Sequence, residues 1–340
     1  MTPLFLGLGG PALTDAERAF FRSVNPAGYI LFRRNVADPA QLRALTADLR
    51  SLTGRDDLPI LIDQEGGRVA RLQPPHWPVF PPGSAFDRLY DISPIGAIEA
   101  ARHNARALGL MLADLGITVD CLPLLDVPVP GAHDIIGDRA LGHEPMRVAA
   151  LGKAVLEGLA QGGVVGVVKH IPGHGRAGAD SHLELPVVTA TLDELAVDLE
   201  PFEKLKDAPM AMTAHVVYTA LDPDRCATLS PVVINDIIRR RIGFDGLLMS
   251  DDLGMHALKG SFAERAQGVL DAGCDIVLHC SGDMAEMEEV AGAVTAISPR
   301  ASDRLERAMA VATRDARLEF ADAVAKRDAL LALVHQPDPA

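Results

Sequence analysis

The chain has 340 residues, which at about 150 residues per domain corresponds to two average domains or one large α/β barrel. With 48% hydrophobic and 23% charged residues it has the composition of a globular protein, not of a disordered or fibrous one. A formal net charge of −14 argues against nucleic acid and anionic membranes as partners, because both attract basic surfaces.

Targeting and redox signals are weak. The first ten residues have no basic segment and too short an apolar run for a signal peptide, and no run of 18 apolar residues occurs. We therefore expect a cytoplasmic protein without a transmembrane helix. The four cysteines form no CxxC pair, and Cys121 and Cys274 lie in apolar runs, which predicts buried reduced thiols.

Eight short apolar runs predict eight strands. The runs are almost continuously hydrophobic, as expected of parallel strands that are covered on both faces. In chain order they are Leu4–Leu8, Gly28–Phe32, Pro59–Asp63, Thr118–Leu122, Val164–His170, Met210–Ala214, Leu247–Ser250 and Ile276–His279.

Amphipathic segments with helix-end signals lie between most of these runs. Thr14 and Glu17 have capping-box spacing, and Asp38 precedes Pro39 in a segment that Gly54 ends. Ser230 and Pro231 start another helix. A long helix that Gly116 ends is predicted from the apolar residues Ile95, Ile98, Ala105, Leu108 and Leu112.

Eight strand–helix units predict an α/β fold, a single-domain (β/α)8 TIM-type barrel, with a doubly wound sheet as the alternative. We expect residues 1–297 to form the barrel. Residues 298–340 would be a C-terminal helical extension that packs on the outside of the barrel.

Polar residues follow the third, fifth, sixth and seventh predicted strands. They occur in Asp63–Arg71, in Lys169–Gly175, at His215 and in Ser250–Asp252. Because catalytic residues of a barrel lie at the carboxyl ends of its strands, this convergence indicates an active site at one rim.

The segment after the fifth strand contains Asp180 and His182, two positions apart. In an extended backbone both side chains point the same way, and a carboxylate beside an imidazole suits a general acid/base near neutral pH. A solvated surface pair is the alternative. Gly173, Gly175 and Gly178 predict a flexible loop with left-handed backbone.

Asp251 and Asp252 follow the seventh strand. Side chains alternate along a strand, so we expect only one of the two to face the site, where an ionised Asp could act as a nucleophile. The other could cap the next helix.

Two other chemistries stay open at this point. His170, His174, Asp180, His182, Asp251 and Asp252 could together bind Zn²⁺ or Mn²⁺, although their spacing matches no helical zinc motif. Arg68, Arg71 and Arg139 could bind hydroxyl, amide or carboxylate groups. Cysteine catalysis is disfavoured, since no cysteine is next to these histidines.

Three long motifs in the same order closely resemble the family 3 glycoside hydrolases, and within them the single-domain bacterial β-N-acetylglucosaminidases of cell-wall recycling. They are Asp63-Gln-Glu-Gly-Gly-Arg-Val-Ala-Arg71, Lys169-His-Ile-Pro-Gly-His-Gly with Asp180-Ser-His182, and Met249-Ser-Asp-Asp-Leu-Gly-Met255. Ile171 stands where many members have phenylalanine, a departure that affects no polar group.

The resemblance implies a retaining glycosidase with a (β/α)8 barrel. Asp251 would be the nucleophile, and His182, oriented by Asp180, the general acid/base. Asp63, Arg71, Arg139, Lys169 and His170 match positions that bind N-acetylglucosamine, whereas Asp252 receives no catalytic role.

The implied substrate is the terminal β-1,4-linked N-acetylglucosamine of muropeptides whose next sugar is 1,6-anhydro-N-acetylmuramic acid. No metal or organic cofactor is implied, and we expect a monomer with no nucleic-acid or membrane partner. A glycoside phosphorylase, a metal-dependent hydrolase and a non-catalytic sugar-binding protein remain the alternatives.

Overall fold

A computed structural model describes residues 1–179, 181, 184–312 and 319–335. Eight parallel strands form one sheet and confirm the predicted (β/α)8 barrel. The strands are β1 Thr2–Leu6, β2 Pro26–Leu31, β3 Ile60–Ile62, β4 Val119–Asp120, β5 Val165–Ile171, β6 Met210–Thr213, β7 Leu247–Met249 and β8 Val277–His279. Each strand overlaps one of the eight predicted runs.

The sheet closes on itself between its first and last strands. β1 pairs with both β2 and β8, and neighbouring strands pair in sequence from β2 to β7. A parallel bridge between Met249 and Ile276 joins β7 to β8, supported by a 3.0 Å hydrogen bond from the Ser250 amide to the Ile276 carbonyl. The carboxyl ends of all eight strands therefore surround one opening.

Helices cover the outside of the barrel. They are α1 Asp15–Val24, α2 Pro39–Thr53, α3 Gly83–Ile92, α4 Pro94–Asp114, α5 Pro145–Gly162, α6 Leu192–Lys204, α7 Phe262–Ala272 and α8 Met284–Gly292, with a π-helical segment at Val233–Ile242 between α6 and α7. No helix among the residues described is both long and apolar enough to cross a bilayer.

The predicted helix ends are largely confirmed. Thr14 and Glu17 form the capping box of α1, while Asp38 caps α2, which ends at Gly54 in left-handed backbone. Ser230 caps its helix by accepting a 3.1 Å hydrogen bond from the Val233 amide. Ile95 is not part of the buried stripe of α4. It lies in the first turn and is 79% exposed, because the buried face begins at Gly96 and Ala97.

Two further helices follow the barrel, α9 at Pro299–Met309 and α10 at Phe320–Leu331. On α9, Leu305 and Ala308 pack with residues of the barrel interior. On the same helix Arg304 is buried and donates a 2.8 Å hydrogen bond to Asp275, which precedes β8. Helix α9 therefore covers the amino ends of the strands and leaves the carboxyl ends open. The division of the chain at residue 297 remains a proposal.

The four cysteines are buried free thiols. Cys121 and Cys280 belong to the cluster inside the barrel, whereas Cys226 and Cys274 lie between strands and helices. The prediction of buried, reduced thiols at Cys121 and Cys274 is confirmed.

Candidate active site

A cavity of about 350 Å³ lies at the carboxyl ends of the strands. This volume is near the lower end of the range for small-molecule sites. Its wall combines ionic groups with an apolar side. The ionic and polar lining residues are Asp63, Glu65, Arg68, Arg71, Arg139, Lys169, His170, His174, Ser181, Asp251 and Asp252, and the apolar ones include Ile30, Phe32, Met212 and Leu278.

Five charged side chains form a network on one side of the cavity. The Lys169 ammonium, at the end of β5, lies 3.0 Å from Asp63 Oδ1 and 2.7 Å from Glu65 Oε1. Arg71 donates a 3.1 Å hydrogen bond to the other Asp63 oxygen. Arg139 binds Glu65 through two hydrogen bonds of 2.8 Å each. Two carboxylates thus share three cations.

The network fixes the charge of its members. Burial by itself would raise the pKa of Asp63, but the charges of Lys169 and Arg71 outweigh burial and hold that pKa well below its usual range. Burial opposes ionisation of Glu65 as well, and Lys169 and Arg139 lower its pKa. The two carboxylates in turn raise the pKa of Lys169 against the effect of burial. Asp63, Glu65 and Lys169 are therefore ionised at neutral pH.

Sequence reasoning did not identify Glu65 as a residue of the site. It lies in a short antiparallel ribbon after β3, formed by Gln64–Gly66 and Val69–Ala70. Its partner Arg139 is 74 positions away, in a 3-10 turn at Gly137–Arg139. Residue spacing can indicate which side chains pair within one helix or strand. An ion pair between two irregular segments of the chain leaves no pattern in the spacing. Its place between two residues of one motif, Asp63 and Arg71, was the available hint.

Asp126 is a second buried acid that sequence reasoning did not identify. Its Oδ2 atom lies 2.8 Å from Nδ1 of His170, and its Oδ1 atom accepts hydrogen bonds from the amides of His170 and His174 at 3.1 Å and 2.7 Å. Burial would raise the pKa of Asp126, but His170 and the hydrogen bonds lower it to about 2. Asp126 therefore fixes both the His170 ring and the backbone that follows β5.

Side chains from two other elements also bind the start of the loop after β5. Arg176 pairs with Asp198 of α6 at 2.5 Å, and the Tyr218 hydroxyl donates a 2.6 Å hydrogen bond to the Gly173 carbonyl. These contacts anchor the start of the loop, and the flexibility predicted from the three glycines stays a prediction. Gly173 alone of the three has a positive φ, +134°.

Gly175 serves close packing instead of left-handed backbone. A Cβ atom there would lie 2.0 Å from the Val127 carbonyl oxygen, whereas at Gly178 it would meet nothing within 4 Å. Only Gly173 and Gly175 of the three are thus required by geometry.

The loop also carries a buried neutral imidazole. His174 lines the cavity, and its Nε2 atom lies 3.2 Å from the Ser181 hydroxyl. Burial lowers the pKa of His174 to about 4, with the neighbouring His170 adding to the effect. Ser181 stands between Asp180 and His182, and these two candidates lie outside the described residues.

Asp251 and Asp252 both line the cavity. The expectation that only one would face the site is wrong, because β7 ends at Met249 and both residues lie beyond the regular strand. Asp252 caps a turn, not a helix, since its Oδ1 accepts hydrogen bonds from the amides of Gly254 at 3.0 Å and Cys280 at 2.9 Å. Asp251 Oδ1 accepts one from the Asp252 amide at 2.8 Å.

Arg68 supports the loop that carries Arg139. Its guanidinium donates to the carbonyls of Asp134, Ile135 and Ile136, and its Nε atom lies 3.0 Å from Asp138. Within the described part of the chain, no three His, Cys, Asp or Glu side chains are arranged to bind a metal ion. The metal alternative also involves Asp180 and His182, so it is not tested.

Comparisons with known proteins show which family the chain is similar to. The family description "Glycosyl hydrolase family 3 N terminal domain" matches residues 9–311. A beta-hexosaminidase from Chromobacterium violaceum is 39% identical over 314 residues, covering 90% of this chain and 86% of that protein. One from Bordetella avium is 37% identical over 315 residues, covering 90% and 88%.

A solved structure is also similar over almost its whole length. NagZ from Neisseria gonorrhoeae, crystallised with N-trifluoroacetyl-D-glucosamine, is 34% identical, with a TM-score of 0.84. The match covers 98% of this chain and 97% of that one.

The lowered pKa of His174 predicts a specific loss of stability in acid. The pKa of this imidazole is about 6.5 in the unfolded chain and about 4 in the folded protein. The unfolded state therefore binds more protons between these values, and stability falls as the pH is lowered. His174→Asn should remove about 2 kcal/mol of the loss in unfolding free energy between pH 7 and pH 5.

Urea unfolding of wild type and variant at both pH values measures this difference. The control is His76→Asn, which makes the same replacement at an exposed histidine outside the cavity. An equal pH dependence in wild type and His174→Asn would show that His174 titrates normally.

Proposed function

Since the chain belongs to glycosyl hydrolase family 3 and is a β-hexosaminidase like its relatives, we propose that it is a retaining exo-β-N-acetylglucosaminidase acting on muropeptides. The observation that carries this proposal is that Asp251 and the network of Asp63, Glu65 and Lys169 line one cavity. A volume of about 350 Å³ favours binding of one terminal sugar over a long chain.

The charged network would bind the hydroxyl and N-acetyl groups of the sugar. Asp63 can accept hydrogen bonds from hydroxyls, while Lys169 and Arg71 can donate them, as can Arg139 and His170. Because the pKa values of Asp63 and Lys169 are displaced away from neutrality in opposite directions, their charges persist over the working pH range. The apolar side, with Phe32, Met212 and Leu278, would contact the sugar's C–H groups.

Asp251 would act as the nucleophile. Its carboxylate would attack the anomeric carbon as the glycosidic bond breaks, giving a covalent glycosyl-Asp251 intermediate. A water molecule would then attack the same carbon, and Asp251 would leave as a carboxylate. The net result is retention of the β configuration. The position of Asp251 in the cavity, after β7, supports this role.

His182, oriented by Asp180, would transfer the proton. It would protonate the leaving oxygen in the first step and accept a proton from water in the second, for which an imidazole with a pKa near neutrality is suited. The described residue between them, Ser181, lines the cavity and lies within hydrogen-bond distance of His174. This supports placing the Asp180–His182 segment at the site.

The finer identity of the substrate rests on resemblance. The chain resembles single-domain family members of cell-wall recycling, which supports terminal N-acetylglucosamine linked to 1,6-anhydro-N-acetylmuramic acid, a cytoplasmic location and a monomer. No cofactor is needed for the two-step mechanism, because a carboxylate and an imidazole supply all its proton and covalent chemistry.

Asp251→Ala should lower kcat for an aryl N-acetyl-β-glucosaminide by a factor of about 10³ or more, because the variant lacks the carboxylate that would form the intermediate. Asp251 is a rim residue, so we expect the variant to fold. Adding azide should restore turnover and give the α-glycosyl azide, since azide fits the space left by the carboxylate. Near-wild-type activity without azide would refute the assignment of the nucleophile.

His182→Ala should depend on the leaving group. Activated aryl glycosides need no proton to depart, whereas natural sugar leaving groups do, so the first step should slow far more for the latter. The measurement is kcat/KM for a series of aryl glycosides of increasing leaving-group pKa and for the disaccharide. An equal loss across the series would contradict the acid role.

A further inference from the structure

A chain of four hydrogen bonds lies behind Asp251 and Asp252. The Asp251 amide lies 3.3 Å from Thr213 Oγ1, which is 2.8 Å from Thr228 Oγ1. Thr228 Oγ1 is 2.7 Å from Nδ1 of His215, whose Nε2 is 2.9 Å from the Asp252 carbonyl oxygen. Thr213, His215 and Thr228 have no exposed surface. The chain of bonds starts and ends on the backbone of the proposed nucleophile's segment.

The two ends determine where each proton lies. A backbone amide can only donate and a carbonyl can only accept, so Thr213 accepts from Asp251 and His215 Nε2 donates to Asp252. Burial lowers the pKa of His215, so the ring is neutral and its unprotonated Nδ1 accepts a hydrogen bond. Thr228 must then donate to His215 and accept from the Thr213 hydroxyl.

One competing contact does not change this assignment. The Thr228 hydroxyl is also 3.1 Å from the Ala214 carbonyl, which is a longer distance than the 2.7 Å to His215 Nδ1. If Thr228 donated to Ala214 alone, the buried Nδ1 acceptor would have no donor, which is unfavourable for a polar atom shielded from water.

We propose that Thr213, Thr228 and His215 are positioning residues that set the geometry of the nucleophilic carboxylate of Asp251. The proposal rests on the proposed function, in which Asp251 is the nucleophile. The two anchored groups, the amide of Asp251 and the carbonyl of Asp252, lie on either side of the peptide that joins these residues. The amide of that peptide in turn donates to Asp251 Oδ1 at 2.8 Å.

The anchor therefore reaches the reacting atoms through one intervening hydrogen bond. Reacting atoms must be held close to the attack geometry, and a displacement of about 1 Å can cost about 10²-fold in rate. Thr213 is the last residue of β6, His215 follows it by two positions, and Thr228 belongs to the 3-10 turn Ala227–Leu229. The rim of β7 is thus held by its neighbour in the barrel.

Thr228→Val tests this inference, because valine keeps the shape of threonine and removes the hydroxyl that links Thr213 to His215. We expect kcat for an activated aryl N-acetyl-β-glucosaminide to fall about ten-fold or more. The Kd for N-acetylglucosamine, measured by calorimetry, should stay within about two-fold, since none of the three residues lines the cavity. Thr228→Ser, which keeps the hydroxyl, should retain the wild-type kcat.

Two further readouts separate positioning from general damage. The dependence of rate on leaving-group pKa should match wild type in Thr228→Val, because the acid/base is untouched. The matched control is Thr46→Val. Thr46 is a buried threonine on α2 whose hydroxyl donates a 2.8 Å hydrogen bond to the Leu115 carbonyl, and its loss should leave kcat unchanged.

The inference is overturned if Thr228→Val keeps the wild-type kcat, or if Thr228→Ser and Thr46→Val lose as much activity as Thr228→Val. Should Thr228→Val not fold, the pair Thr213→Val and Thr213→Ser applies the same test one bond nearer to Asp251. Full activity of Asp251→Asn would refute the nucleophile itself. An inactive Asp251→Asn beside a fully active Thr228→Val would refute only the positioning role.

Discussion

The pairing of Lys169 with Asp63 and Glu65 is the interaction on which the cavity depends. Taking three charged groups out of water is costly, and the cost is offset only when each finds a partner at close range. Arg71 and Arg139 complete the pairing, and both lie on segments outside the regular strands. The ends of β3 and β5, the ribbon after β3 and the Gly137–Arg139 turn are therefore tied to one arrangement by charge.

In and around the site, the buried acids with lowered pKa values are charged and the buried histidines with lowered pKa values are neutral. Asp63, Glu65 and Asp126 have lowered pKa values and stay ionised, whereas buried His174 and His215 have lowered pKa values and stay neutral. The charge of these groups thus hardly changes around neutral pH. In the proposed mechanism, proton transfer is assigned to His182 and Asp180, whereas Asp63, Glu65 and Asp126 keep their charge.

Sequence reasoning predicted the parts whose signal is local. Buried parallel strands are continuously hydrophobic, so all eight could be located, and helix caps such as Asp38 and Gly54 depend on neighbouring residues. Glu65, Asp126 and Thr228 could not be identified, because their partners Arg139, His170 and His215 lie 74, 44 and 13 positions away on other elements. The alternation rule failed at Asp251 and Asp252 because β7 ends before them.

Turnover of an aryl N-acetyl-β-glucosaminide, beside the matching β-glucoside and with a chelator present, tests the proposed retaining hydrolysis most directly. We predict hydrolysis of the N-acetyl sugar alone, with the β-configured sugar as first product by NMR and no effect of the chelator or of added phosphate. The proposed retaining hydrolysis would be contradicted if neither sugar were hydrolysed or if the first product had the α configuration. It would also be contradicted by loss of activity with the chelator or by a sugar phosphate as product.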